Sequence, residues 1–250
     1  MNKPKIYGHR GSCTRRPENT MLSFRLACEV EGADGIEIDI RTTADGEIVI
    51  SHDNSLKRCA GVDMKISDLT WDILSTIPVH CPNKFGNTFM NSAFIPRLEE
   101  LFDWMRSNEI LLNIEIKRQS ASERKYGYIE EKVLNMAKEY GLSDRIIYSS
   151  FDEYILLKLK ELDPTVKTYL LYSQPIADAG KRAVAMGHNG INPGVSAAMQ
   201  YGDLEKAVEQ GIEVNVWTVN DMLDAQHLAA KGAAGIITDL PKEVVALLAD

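Results

Sequence analysis

The sequence predicts an α/β fold in which eight parallel strands close into a barrel surrounded by helices. Short runs rich in Ile and Val alternate with stretches of helical periodicity, which is typical of a parallel sheet. Successive strands begin about 33 residues apart, and seven such steps give eight strands in a chain of 250 residues, which is the usual size of a barrel of this kind. These features favour a single (β/α)8, or TIM, barrel domain over residues 1–250. An open doubly wound sheet is the alternative, but no glycine-rich nucleotide-binding loop follows the first strand.

The predicted strands are short and mostly apolar, as expected when helices cover the outer face of a parallel sheet. They are Lys5–Tyr7, Gly35–Ile40, Ile110–Ile116, Arg145–Tyr148, Val166–Leu171, Gly190–Asn192, Glu213–Trp217 and Gly235–Ile237. Each is followed by a stretch in which apolar residues recur at helical spacing. The predicted helices are Asn19–Glu31, Leu98–Ser107, Tyr128–Tyr140, Asp152–Leu162, Ile176–Met186, Asp203–Gln210, Asp221–Lys231 and a last one that begins at Pro241.

One connection, between the second strand and the next barrel helix, is much longer than the others. Asp45-Gly46 is a hairpin signal, and 47–51 is the predicted returning strand. Residues 54–96 form an insertion, for which we predict one short helix at Ser67–Ile77 and otherwise loop. Insertions of this length are usually binding loops or lids, and one that follows a barrel strand lies on the face where active sites form.

Composition limits the partners that the protein can have. Lys and Arg total 28 against 36 Asp and Glu, a formal net charge of −8, which argues against nucleic acid and against a basic membrane-docking patch. No apolar run approaches the length of a membrane span, and we expect neither a membrane anchor nor a secretory signal. The spacing of the four cysteines fits neither a zinc site nor a disulfide framework, so we expect reduced thiols and a cytoplasmic location.

Two predicted strands that are neighbours in a barrel carry charged residues on one face. Glu37 and Asp39 alternate with isoleucines on the second strand, and Glu115 and Lys117 do so on the third. The isoleucines suit the helix-covered face, which directs the charged residues to the barrel mouth. Three gathered carboxylates repel one another unless cations compensate. Oxygen ligands favour Mg²⁺, Ca²⁺ or Mn²⁺ over zinc, and a buried Glu–Lys network without metal is the alternative.

Basic and titratable residues are expected at the same mouth. His9 and Arg10 end the first strand between two glycines, and His52 follows the returning hairpin strand. A guanidinium can hold a phosphate with two parallel hydrogen bonds, and two histidines can accept and donate protons near neutral pH. With a carboxylate-bound cation these residues suit phosphodiester chemistry. A structural histidine is the alternative interpretation of His9.

Aromatic residues follow two further strands at this rim. Trp217 ends the seventh strand and Phe151 follows the fourth. Either ring can pack against the apolar part of a substrate or a choline-like cation. Packing within the core is the alternative for both residues.

These motifs resemble the glycerophosphodiester phosphodiesterases. They occur in the order seen in that family and extend over nearly the whole chain. The matching segments are His9-Arg10-Gly11, Pro17–Thr20, Gly32–Asp39, Thr43–Gly46, His52-Asp53, Pro96–Glu100, Asn113–Lys117, Val216–Asn220 and Gly235–Pro241. The sequence departs from the family pattern at Ser12–Arg16 and at Arg97, where the family has a threonine, and both departures leave the alcohol group of the substrate open.

The resemblance implies hydrolysis of small glycerophosphodiesters to an alcohol and glycerol 3-phosphate, through a cyclic phosphate that water then opens. It implies His9 and His52 as the acid/base pair and Arg10 and Lys117 as phosphate ligands. It also implies that one divalent cation, Mg²⁺ or Ca²⁺ and with Mn²⁺ possible, is held by three carboxylates. These are Glu37, Asp39 and Glu115.

Two alternative functions share the same site. One is a phospholipase D that acts on lysophospholipids, which needs an apolar entry for an acyl chain. The insertion holds candidates for such an entry, namely Phe85, Phe89, Met90 and Phe94. The other is a barrel that binds phosphodiesters without turnover, which the intact histidines and carboxylates argue against.

Overall fold

Eight parallel strands close into a barrel in the computed structural model, which describes residues 3–89, 91–120, 127–200 and 203–249. The barrel strands are β1 (Lys5–His9), β2 (Gly35–Thr42), β4 (Leu111–Ile116), β5 (Ile146–Ser150), β6 (Lys167–Tyr172), β7 (Gly190–Pro193), β8 (Glu213–Val216) and β9 (Gly235–Thr238). Each pairs with its neighbours in chain order, and β1 pairs with both β2 and β9, which closes the barrel. The predicted fold class is confirmed.

Helices follow the barrel strands, and their ends lie within about three residues of the predicted ones. They are α1 (Met21–Arg25, continued by a wider turn at Leu26–Val30), α5 (Leu98–Arg106), α6 (Ile129–Glu139), α7 (Glu153–Leu162), α8 (Ala179–Ala185), α10 (Asp203–Glu209), α11 (Met222–Ala230) and α12 (Pro241–Leu247). A short helix that the sequence did not reveal, α9 (Val195–Ala198), follows β7. No helix among the described residues is long and apolar enough to cross a membrane.

Side-chain alternation divides the strands between two cores. Ile36, Ile38 and Ile40 of β2 are fully buried in the large apolar cluster that joins the strands to the helices, as predicted. A smaller cluster fills the barrel interior, and it comprises Tyr7, Ile147, Tyr169 and Ile237. These side chains lie on the strand face opposite the helices, which is also the face of Glu37 and Asp39.

The insertion packs around an apolar cluster of its own. Strand β3 (Ile48–Ile50) pairs antiparallel with β2 and starts the excursion. Residues 54–96 then contain three short helices, α2 (Lys57–Ala60), α3 (Trp71–Leu74) and α4 (Pro82–Phe85). The buried cluster that they help to form includes Val49, Leu56, Ala60, Ile66, Leu69, Leu74, Val79 and Ile95.

The predicted single helix at Ser67–Ile77 is wrong. A 3₁₀ turn at Ile66–Asp68 is followed by extended residues and then by α3. The carbonyl of Leu69 accepts a hydrogen bond from the amide of Ala44 in the hairpin, 2.8 Å away, and therefore does not take part in a continuous helix. A tertiary contact that helical periodicity does not report thus divides the segment.

Two adjacent leucines of α7 test the contribution of the large apolar cluster. Leu156 is fully buried, whereas Leu157 is 38% exposed. We expect Leu156→Ala to lower the free energy of unfolding by about 2–5 kcal/mol, because it removes buried apolar area and leaves a cavity. Leu157→Ala, the matched control, should cost under about 1 kcal/mol. Urea denaturation measures both, and equal losses would contradict the packing described here.

Candidate active site

A cavity of about 110 Å³ opens at the ends of the barrel strands. Of the nine site residues predicted from the sequence, Asp39 is buried beside the cavity, and the others line it. The lining residues are His9, Arg10, Glu37, His52, Glu115, Lys117, Ser149, Phe151, Leu171, Asn192, Trp217 and Ile237. The barrel therefore brings together residues that are widely separated in the chain. They lie at the C-terminal ends of the strands, which is where TIM-barrel enzymes have their active sites.

Strand register places the three acidic residues side by side. Asp39 of β2 pairs directly with Glu115 of β4, and Glu37 pairs with Asn113 below them. One oxygen from each of the three carboxylates lies within 4.8 Å of the others, and all three residues are buried. Burial, followed by the charge of Asp39, raises the pKa of Glu115 to about 7 and raises that of Glu37 well above its usual value.

Two cations offset part of this negative charge. The ammonium of Lys117 lies 2.8 Å from Asp39 and also contacts Glu115, and Nε of Arg10 lies 3.4 Å from Asp39. Burial alone would raise the pKa of Asp39, but the charges of Lys117 and Arg10 lower it below its usual range. Two cations thus keep Asp39 ionised, and with all three carboxylates ionised one negative charge remains in excess. An oxygen-only donor set with excess negative charge fits a hard divalent cation, so these three carboxylates could hold one.

The turn after β1 directs Arg10 into the site. Arg10 has a left-handed backbone (φ +54°), and its amide bonds the carbonyl of Glu37 at 2.9 Å. Gly11 follows with φ +81°, and a β-carbon there would lie 2.5 Å from Ser23, so only glycine fits. The guanidinium donates to Glu18 at 2.8 Å. This turn leaves the Arg10 side chain at the cavity wall, where it could meet an anion.

Each histidine of the cavity is paired with a carboxylate. Nδ1 of His9 lies 2.7 Å from Asp239, and its Nε2 lies 3.9 Å from Glu37. Nδ1 of His52 lies 2.6 Å from Asp53. A carboxylate at Nδ1 favours the tautomer whose Nε2 is free to accept a proton. Burial lowers the pKa of His52, so this imidazole is neutral to a lower pH than usual.

A network of ion pairs connects the insertion to both of these groups. Arg58 of α2 donates to Glu18 at 2.6 and 2.8 Å and to Asp53 at 2.6 Å. Glu18 also holds Arg10, and Asp53 also holds His52. One arginine of the insertion therefore positions residues on two sides of the cavity.

Several of these partners were missed in the sequence analysis. Asp239, Asp53 and Glu18 lie within matched motifs, but no role was predicted for them. Asp239 follows the last strand at the cavity rim, so its position after a barrel strand was an available signal. Asn19, which donates to Asp39 at 2.9 Å, gave no such signal because it lies in the loop before α1.

The two predicted aromatic residues form one wall of the cavity. The rings of Phe151 and Trp217 meet edge to face with centroids 5.7 Å apart. Phe151 is 51% exposed, and Trp217 donates from Nε1 to the carbonyl of Asn192 at 2.8 Å. Trp217 is therefore fixed in orientation, while Phe151 lies at the mouth.

The aromatic residues of the insertion do not line this cavity in the part of the chain that the structure describes. Phe85 and Phe89 pack against each other, with centroids 5.3 Å apart, and Arg16 lies over Phe89. Phe94 borders a separate depression beside α1. Met90 lies outside the described residues. Among the described residues, the insertion is thus linked to the cavity by the ion pairs of Arg58 with Glu18 and Asp53, and it does not provide an apolar entry.

Comparisons with known proteins identify similar sequences and a similar fold. Residues 9–243 match the glycerophosphoryl diester phosphodiesterase family. An uncharacterized protein of Bacillus subtilis is 33% identical over 245 residues, and a glycerophosphodiester phosphodiesterase of Caldanaerobacter subterraneus is 32% identical over 250 residues; each alignment covers 98% of both chains. A solved phosphodiesterase of Oleispira antarctica, in complex with the product sn-glycerol-3-phosphate, has a TM-score of 0.88 at 24% identity and covers 99% of this chain and 98% of its own.

The raised pKa of Glu115 predicts a pH-dependent stability of the cation-free protein. Folded Glu115 keeps its proton to about pH 7, whereas the unfolded chain loses it near 4.5, so stability falls as pH rises between these values. We expect Glu115→Gln to gain stability relative to the parent by on the order of 2 kcal/mol between about pH 5 and about pH 8.

The measurement is urea denaturation in chelator at several pH values. Glu161→Gln replaces an exposed carboxylate of α7 and serves as the control. A difference between Glu115→Gln and the parent that does not change with pH would contradict the burial of an excess carboxylate.

Proposed function

The chain belongs to the glycerophosphoryl diester phosphodiesterase family, and we propose that it hydrolyses soluble glycerophosphodiesters to an alcohol and sn-glycerol 3-phosphate. The observation that carries this proposal is the convergence, in one cavity, of three buried carboxylates, two cationic side chains and two carboxylate-paired histidines. These groups are the ones that phosphodiester hydrolysis needs for charge neutralisation and proton transfer.

The free thiols of all four cysteines support a reducing location such as the cytoplasm.

One divalent cation, Mg²⁺ or Ca²⁺ and with Mn²⁺ also compatible, is assigned to Glu37, Asp39 and Glu115. The raised pKa values of the two glutamates support this assignment, because added positive charge would release their protons. When bound, the cation would polarise the phosphoryl oxygens and lower the pKa of an attacking hydroxyl. Arg10 and Lys117 lie beside the same carboxylates, so we assign them to the remaining phosphate oxygens.

The proposed first step forms a cyclic phosphate. The 2-hydroxyl oxygen of the glycerol bonds to phosphorus as the phosphorus–oxygen bond to the alcohol breaks. We assign the proton acceptor to His52, whose lowered pKa keeps it neutral, and the proton donor to His9. The Asp239 carboxylate lies 2.7 Å from Nδ1 of His9 and so orients its ring, with Nε2 directed to the cavity.

The proposed second step opens this ring with water. The water oxygen bonds to phosphorus, the bond to the 2-oxygen breaks, and sn-glycerol 3-phosphate leaves. The proton transfers run in the opposite sense, so His9 now accepts a proton from water and His52 returns one to the 2-oxygen. Both histidines therefore regain their starting protonation states at the end of the cycle.

Substrate and cation requirements test the proposal directly. With glycerophosphocholine and Mg²⁺ or Ca²⁺ we expect release of glycerol 3-phosphate, measured with its dehydrogenase, and loss of that release when a chelator is added. Lysophosphatidylcholine should react more slowly, because no described residue of the insertion lines the cavity. The absence of product from every common deacylated phospholipid would overturn the assignment.

Removing either histidine separates catalysis from cation binding. We expect His9→Ala and His52→Ala each to lower kcat by at least about 10²-fold, because a positioned acid or base is lost. The exposed His227 of α11 provides the matched control, and His227→Ala should retain activity. Calorimetric titration with the divalent cation should still show binding to all three variants. A variant at position 9 or 52 with normal kcat would exclude that residue as an acid or base.

A further inference from the structure

We propose that Asn192 binds the terminal hydroxyl of the substrate's glycerol group and thereby selects glycerol-containing diesters. This inference rests on the proposed function and deepens it. Asn192 lies in β7, is fully buried and lines the cavity. Neither its amide nitrogen nor its amide oxygen has a hydrogen-bond partner among the residues that the structure describes. Buried polar groups are nearly always paired, so an amide with both ends free in a cavity indicates a site for a polar ligand.

The strand geometry directs this side chain inward. Ile191, the preceding residue, is buried in the cluster between strands and helices, so Asn192 faces the barrel interior. Asn192 pairs in register with Leu171 of β6, which also lines the cavity. The main chain at this point is already bonded, since the Asn192 carbonyl accepts from the Trp217 indole at 2.8 Å. The strand backbone is therefore held in place, and the side-chain amide is available for a ligand.

The surroundings of Asn192 define what it can bind. Its neighbours in the cavity wall, Leu171, Trp217 and Ile237, are apolar, whereas the opposite wall carries the carboxylates, cations and histidines. A ligand that fills both halves has a phosphate at one end and a short carbon chain with a hydroxyl at the other. A hydroxyl can donate to the amide oxygen or accept from the amide nitrogen, so it satisfies Asn192. A trimethylammonium group can do neither.

The size of the cavity favours glycerol over the alcohol group as the buried part. Its volume of about 110 Å³ is well below the roughly 300–1,000 Å³ of pockets that enclose a whole ligand, so one end of the diester must lie outside it. The glycerol end carries the hydroxyl that Asn192 can bind, and the head group then extends past the exposed ring of Phe151. Because the 2-hydroxyl is assigned as the nucleophile, the terminal hydroxyl is the one left for Asn192.

The test compares substrates with and without glycerol, using the cation-loaded enzyme. We expect Asn192→Ala to lower kcat/KM for glycerophosphocholine by about 10- to 100-fold, because a buried hydroxyl loses its partner. The same variant should change kcat/KM for 2-hydroxypropyl 4-nitrophenyl phosphate, which keeps the 2-hydroxyl nucleophile but lacks the terminal hydroxyl of glycerol, by less than about 3-fold. Calorimetry should show weaker binding of sn-glycerol 3-phosphate and unchanged binding of inorganic phosphate.

Matched variants separate recognition from folding. Asn215 of β8 is also buried with an unpartnered amide nitrogen, but it does not line the cavity, and Asn215→Ala should leave the substrate ratio unchanged. Asn192→Leu keeps the volume and removes an unpartnered amide, so it should fold with at least the parent's melting temperature and still lose the preference.

The outcomes distinguish this inference from the function on which it rests. Equal losses on both diesters, or none on either, would overturn the role of Asn192 and leave the phosphodiesterase assignment intact. Weakened binding of inorganic phosphate to Asn192→Leu would also overturn it. A parent enzyme that is active on 2-hydroxypropyl 4-nitrophenyl phosphate but on no glycerophosphodiester would overturn the proposed function, and the glycerol assignment with it.

Discussion

The register between β2 and β4 is the constraint on which the site depends. It places Asp39 directly beside Glu115, and strand alternation adds Glu37 to the same face. Side chains in these positions cannot separate without breaking the barrel ladder, so the carboxylates remain crowded in a buried space. Burial, followed by the charges of Asp39 and Glu115, raises the pKa of Glu37, and the same two carboxylates raise the pKa of Lys117 although burial alone would lower it. The three carboxylates that this register holds together therefore require positive charge nearby at the mouth of the barrel.

The insertion is linked to this centre by charge rather than by apolar contact. Its own buried cluster gives α2 a stable base, and Arg58 extends from α2 to Glu18 and Asp53. Because Glu18 restrains Arg10 and Asp53 restrains His52, the packing of the insertion is coupled to the orientation of two cavity residues. The long connection after β2 thus helps to hold Arg10 and His52 in their positions at the cavity.

Periodicity and position predicted the barrel and most of the cavity, because both depend on local patterns. Alternation in 36–40 and 113–117 is a property of a single strand, and the ends of parallel strands meet on one face. The partners of these residues were harder to foresee. Asp239 bonds His9 across 230 positions of sequence, and Asn192 is distinguished only by what it does not contact. The break in Ser67–Ile77 likewise depends on a hydrogen bond to a distant hairpin, which competes with local helix propensity.

Charge balance explains how a protein with a formal net charge of −8 can bind an anionic diester. Three ionisable carboxylates, those of Glu37, Asp39 and Glu115, lie next to two cationic side chains, Arg10 and Lys117. With all three ionised, that set has one excess negative charge and would repel a phosphodiester. One divalent cation would change the excess to a single positive charge, which matches the single negative charge of the diester. On the proposed assignment, cation and substrate are therefore linked electrostatically, and the charges within a few ångströms of the phosphate decide whether it binds, more than the net charge of the chain, whose exposed members are screened by salt.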